Sequence, residues 1–188
     1  ENLTNKTNVP LHQCLERSGH YWYEMRSDNL ADFVVNINFD KSLYIAKLVE
    51  RSFVDQRLIG LSVNEDYSGT NNDLLLALLN STLSMFFIEA LGFGRGLGAL
   101  DLSKNKFESS FQILNANTLS EANKTQIISA FKPLVNRTRL PLLQELEQDD
   151  RINFEHTLMT AFGLEAYSND IKNSLVSLYN IRFSVKNN

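Results

Sequence analysis

The sequence predicts an α+β chain: a mainly β N-terminal half around a buried central helix, followed by a helical C-terminal region. Three observations carry that prediction. Residues 33–62 hold runs in which apolar and polar side chains alternate with the period of a strand, residues 74–91 are apolar almost all round, and residues beyond 118 place apolar groups at helical spacing. The change of pattern near residue 115 divides the chain into an α+β body at 1–115 and a helical region at 116–188 packed on it.

The elements follow in order. Residues 1–18 are polar and mixed, and end in a short helix around 11–17. In the order His20-Tyr21-Trp22-Tyr23-Glu24-Met25-Arg26, Tyr21, Tyr23 and Met25 fall on one face and Trp22, Glu24 and Arg26 on the other, which predicts a strand with its aromatic groups in a core. Residues 33–39 alternate again, with Val35, Ile37 and Phe39 opposite Asn36 and Asn38, and 42–48 and 53–62 supply two further β-like runs. After a turn-rich connection at 66–73, Asn71 or Asn72 caps one helix running through Leu74, Leu78, Phe87 and Leu91, central and buried because it has no polar face. A strand at 97–102, a helical turn at 104–109 and a strand at 111–114 complete the body. Thr118 or Ser120 then opens an amphipathic helix with Ile127, Ile128, Phe131 and Leu134 on one face. Two more helices, 140–162 and 169–183, are separated by Gly163 as a C-terminal cap.

Composition narrows the function. With 188 residues and 43% hydrophobic side chains the chain can bury a substantial core. Asn80, Ser81, Thr82 and Ser84 interrupt the longest apolar run, so no membrane span is expected. A single cysteine, Cys14, rules out an internal disulfide and a Cys-rich metal site and fits a reducing, cytoplasmic setting. The chain begins at Glu1 without a signal-peptide pattern and is expected to be part of a longer parent. Its formal charge of −4 argues against a general nucleic-acid coat, but the charge is uneven: residues 91–139 hold seven Lys and Arg against three Asp and Glu.

That basic segment opens on Gly92-Phe93-Gly94-Arg95-Gly96-Leu97-Gly98, four alternate glycines around one arginine. Glycine strips side chain from the backbone, so the loop can approach another surface closely and present Arg95, whose planar fork makes two hydrogen bonds to a guanine edge. It is no dinucleotide fingerprint, because it follows a helix instead of a strand. His12, His20 and His156 are dispersed, and neither a nucleophile elbow nor a Walker loop is present. The acidic residues Glu145, Glu147, Asp149 and Asp150 are expected on a solvated face or in helix-end pairs. No catalytic, cofactor-binding or metal-binding constellation is assigned.

Taken together, residues 20–26, Val54-Asp55-Gln56-Arg57-Leu58-Ile59-Gly60-Leu61, Leu75-Leu76-Ala77-Leu78-Leu79-Asn80-Ser81 with its Leu-Asn-Ser ending, the glycine-rich stretch 92–106, and the helices around 143–151 and 161–164 resemble the C-terminal target-recognition region of adenine-specific DNA methyltransferases, especially the TaqI-like specificity domain of fused type II restriction-modification enzymes. The resemblance spans most of the chain. It implies that this region recognises a short site in double-stranded DNA while an upstream domain of the same chain binds S-adenosylmethionine and methylates the adenine amino group. The family's Asn-Pro-Pro-Tyr type motif is absent, since Pro10, Pro133 and Pro141 all follow residues other than asparagine, so this region is expected to position DNA and to hold no cofactor itself. The residues expected to face DNA are Arg95 with Gly94 and Gly96, then Lys104, Lys106, Arg137, Arg139 and Arg26. The competing expectation is a non-catalytic docking or dimerisation module built on residues 118–183.

Overall fold

The computed structural model describes residues 3, 4, 6–10, 12–14 and 30–184. The chain divides into two units, 1–30 and 31–188. Within the first, Thr4 and Pro10 form an isolated antiparallel bridge, and residues 12–14 make a helical turn in which the Gln13 and Cys14 amides donate to the Pro10 carbonyl. The predicted strand at 20–26, with Arg26, lies outside the described residues.

The second unit is α+β, as the residue patterns predict. Strand β1 (Ala31–Asn36) alternates between core and partial exposure, burying Ala31, Phe33 and Val35. Beyond Ile37 the chain runs on into β2 (Asn38–Phe39), and β3 (Ile45–Ser52) returns antiparallel to β1 with Val35 opposite Ile45. Strand β4 (Leu58–Leu61) pairs on the other side of β1, giving the order β3-β1-β4.

The apolar run at 74–91 is two helices instead of one: α1 (Asn72–Leu79) and α2 (Thr82–Leu91), bent by 55° at the Asn80–Ser81 break. Asn71 caps the first, accepting from the Asp73 amide at 2.7 Å, and Ser81 caps the second, accepting from the Ser84 amide at 3.1 Å. The bend has a tertiary cause. Fully buried Asn80 turns its side chain onto β3, with Oδ1 accepting from the Ile45 amide at 3.0 Å and Nδ2 donating to the carbonyls of Ile45 and Leu76, each at 2.9 Å. One asparagine thus satisfies both backbone groups of a strand residue that the sheet leaves open on that side. Leu74 through Leu79 form the centre of the core.

A second sheet follows. Strands β5 (Phe93–Gly94) and β6 (Leu100–Asp101) form a hairpin, and β2 pairs on the far side of β6, in the order β2-β6-β5. Ile37 joins the two sheets, because its carbonyl accepts from the Leu102 amide at 2.7 Å. The strand predicted at 97–102 is therefore only two residues long, its first half being the hairpin turn. Helix α3 (Lys104–Ser110) leaves β6, with Phe107 buried. The strand expected at 111–114 does not form: among the described residues no strand is paired with it, and Phe111 instead stacks on Phe107 with ring centroids 4.2 Å apart.

Helix α4 (Glu121–Asn136) is capped by Ser120, which accepts from the Asn123 amide, and buries Ile127, Phe131 and Leu134. The run predicted as one helix at 140–162 is a single turn, α5 (Leu142–Glu145), then α6 (Asp149–Phe162), with Gly163 ending α6 at φ +66°. Helix α7 (Ser168–Ser184) packs against α2, and α6 against α4, where the Phe131 and Phe154 rings lie 4.9 Å apart. Among the described residues no single helix is long and apolar enough to cross a membrane.

Candidate functional site

The glycine-rich stretch is a tight hairpin. The Arg95 amide donates to the Ala99 carbonyl and the Ala99 amide to the Gly96 carbonyl, both at 3.1 Å, so residues 95–99 close the turn. Gly96, Leu97 and Gly98 all have left-handed backbones, with φ of +85°, +53° and +81°. That explains the glycines at 96 and 98, since a side chain with this φ is strained. Gly92 and Gly98 have a further reason. A Cβ at Gly92 would come within 2.5 Å of the Leu100 side chain, and one at Gly98 within 2.1 Å of the Phe183 ring.

The hairpin stands on a buried ion pair. Arg182 of α7 donates from Nε to Glu89 Oε1 at 2.6 Å and from Nη2 to Glu89 Oε2 at 3.2 Å, and its Nη1 donates to the carbonyls of Gly98 and Asp40. Both partners are buried. Burial pushes the Glu89 carboxyl above its ordinary range, and the hydrogen bonds and charge of Arg182 pull against that rise. The Arg182 guanidinium also lies over the Phe183 and Tyr179 rings, at 4.7 and 5.0 Å. A central helix, the C-terminal helix and the hairpin carbonyl are thereby tied at one point, beside a cleft of about 330 Å³ lined in part by Gly92, Gly94, Gly96, Ile181 and Arg182.

Three side chains rise from this base. Arg95 is 67% exposed, pairs through Nε with the buried Asp101 of β6, and lies 5.8 Å from the Phe93 ring. Asp101 also accepts from the Asn38 side-chain amide, so both of its oxygens are engaged. Phe93 is half exposed, and Leu97, at the turn, is 79% exposed. Lys104 and Lys106 follow on α3, exposed, with Lys104 3.7 Å from Glu108.

The eight residues expected to face DNA thus separate. Gly94, Arg95 and Gly96 share the hairpin, and Lys104 and Lys106 lie on the helix that leaves it. Arg137 is elsewhere, with Nε and Nη2 donating to Asp150 and Nη1 and Nη2 to Glu145. Arg139 lies over the Tyr44 ring at 4.3 Å. Arg26 is outside the described residues.

The Arg137 network is a second focus of charge with a structural task. Of the two arrangements expected for the acidic cluster, a solvated face or helix-end pairs, Glu145 is not on a solvated face: it is buried and bridges Arg137 to the almost fully buried Arg151. Arg151 donates from Nη1 to the Asn80 carbonyl at 2.7 Å and to Glu155 Oε1 at 3.0 Å, and Glu155 accepts from the Thr82 amide at 2.8 Å. The Leu-Asn-Ser corner is therefore clamped from both sides, its side chain to β3 and its backbone to α6.

Leu97 is the site residue that the sequence did not single out. Only its backbone conformation distinguishes it from any other exposed leucine. No family model matches the chain, and neither a curated protein nor a solved structure matches it.

Proposed function

We propose that this chain is the DNA target-recognition region of an adenine N6 DNA methyltransferase or restriction-modification protein, holding a specific duplex site for an upstream domain that carries S-adenosylmethionine. One observation carries the reading: a thin glycine hairpin, braced from below by the Arg182–Glu89 pair, presents an exposed Arg95, and Lys104 and Lys106 follow on the helix that leaves its second strand. The braced base sets the guanidinium's position before binding, which lowers the ordering cost of recognition. On binding, Arg95 exchanges the Asp101 carboxylate for acceptors on a base edge, while the two lysines hold phosphates and set register. The resemblance of the Leu-Asn-Ser and glycine-rich segments supports the same reading, and the clamp on Asn80 explains why such a corner would sit next to a recognition hairpin: it fixes the helix that launches it.

The test is Arg95→Ala in the full-length protein. A bidentate base contact is worth about 1–3 kcal/mol, so site-specific methylation should fall roughly 5- to 150-fold while binding to unrelated duplex changes far less. Lys104→Ala and Lys106→Ala should instead weaken binding to all sequences and reduce its salt dependence by about one counterion each. Equal losses of specific and non-specific binding on Arg95→Ala would remove the base-reading role.

A further inference from the structure

We infer that Leu97 is an apolar wedge which the hairpin drives between base pairs of the bound duplex, an inference that rests on the DNA reading above. Among the described residues nothing else accounts for its placement. Leu97 holds φ +53°, a left-handed backbone that a leucine adopts only at a cost of about 1–2 kcal/mol. Glycine or asparagine would make the same turn with less strain. A residue that costs backbone energy usually repays it by packing, yet Leu97 is 79% exposed. Gly96 beside it has no atom within 4 Å of where a Cβ would lie, so the flank of the tip is open as well.

The tip is also held stiffly, as a wedge requires. The turn is closed by the Arg95–Ala99 and Ala99–Gly96 backbone bonds, the Gly98 carbonyl is fixed by Arg182, and Gly98 itself presses on the Phe183 ring. The same hairpin carries the half-exposed Phe93 with the Arg95 guanidinium 5.8 Å from its ring. One apolar side chain on a narrow cationic support fits a gap between stacked bases, where unstacking costs a few kcal/mol per step and is recovered through phosphate and groove contacts. A protein partner would call for a much broader surface, about 800 Å² on each side.

The experiment is an anisotropy titration of the full-length protein against two labelled duplexes that differ only by one central abasic site, which supplies the gap without the unstacking cost. Wild type should bind the abasic duplex about tenfold more tightly. Leu97→Gly relieves the left-handed strain and so keeps the fold, and Leu97→Asn keeps the turn with a polar tip; both should bring the ratio close to one. A ratio unchanged in both variants, or a wild type indifferent to the abasic site, would overturn the wedge and leave the DNA reading standing. A wild type that binds neither duplex would overturn the DNA reading, and the wedge with it.

Discussion

Replacing Gly98 by alanine imposes two separable costs on the hairpin. The backbone there has φ +81°, so any Cβ pays the left-handed penalty of about 1–2 kcal/mol. The new Cβ would also lie 2.1, 2.5 and 2.8 Å from three carbons of the Phe183 ring. That ring has little room to yield, because Tyr179 lies 4.6 Å away and the Arg182 guanidinium 4.7 Å. Overpacking of this kind costs about 1–3 kcal/mol, so Gly98→Ala should destabilise by about 2–5 kcal/mol in all. Gly96→Ala is the internal control. Its φ of +85° is almost the same, but nothing lies within 4 Å of the Cβ position, so it should cost only the backbone term. Urea unfolding followed by far-ultraviolet circular dichroism, compared at equal m-values, measures both. The gap between them is the price of the Phe183 contact, and Phe183→Leu in the Gly98→Ala background should narrow it. If the two alanine variants lose the same stability to within about 0.5 kcal/mol, the hairpin is not braced by α7 and the account of its rigidity fails.

Three further predictions concern the groups that hold the frame. Arg182→Met strands the buried Glu89 carboxylate and should cost about 3–5 kcal/mol, with most of it recovered in the double variant Arg182→Met/Glu89→Leu; thermal unfolding of the three proteins checks it. Asn80→Ala removes a donor and an acceptor from Ile45 and should cost about 2–4 kcal/mol in chemical denaturation, and Asn80→Asp should cost more because it buries a carboxylate against the Ile45 and Leu76 carbonyls. Burial raises the Glu145 carboxyl, but Arg137 and Arg151 outweigh it, and Arg137 holds Asp150 down, so both groups lie below their ordinary values of 4.5 and 3.8. Depressed folded values mean that their stabilisation is present above those ordinary values and is lost as pH falls through the folded ones. Wild type should therefore weaken on acidification below about pH 5 more steeply than Arg137→Met, as read from denaturation midpoints across that range.

Local chemistry was legible wherever the structure uses it locally. The alternation at 33–39 became β1 and β2, Asn71, Ser120 and Gly163 became the caps expected of them, and Ile127, Phe131 and Leu134 became the buried face of α4. The errors share a cause. The helix at 74–91 bends because Asn80 bonds to Ile45, thirty-five residues earlier in the chain. Residues 111–114 have the composition of a strand but, among the described residues, no neighbour to pair with, and a strand exists only in a ladder. The run at 140–162 breaks where Glu145 turns inward to two arginines.

By itself, the sequence determined the class of fold, the position of the buried centre and the place of the glycine-rich loop, because periodicity, capping and freedom at positive φ are properties of short stretches of chain. Only the tertiary structure decided which charges face outward. Seven basic residues between 91 and 139 look alike in one dimension, yet Arg137 is consumed by Glu145 and Asp150, Arg139 lies on Tyr44, and Arg95 pairs with Asp101 while staying 67% exposed on its hairpin. Whether an arginine binds its own protein or something else depends on carboxylates and rings brought to it from distant positions. The same is true of Leu97, whose meaning comes from a backbone angle and from its exposure among the described residues.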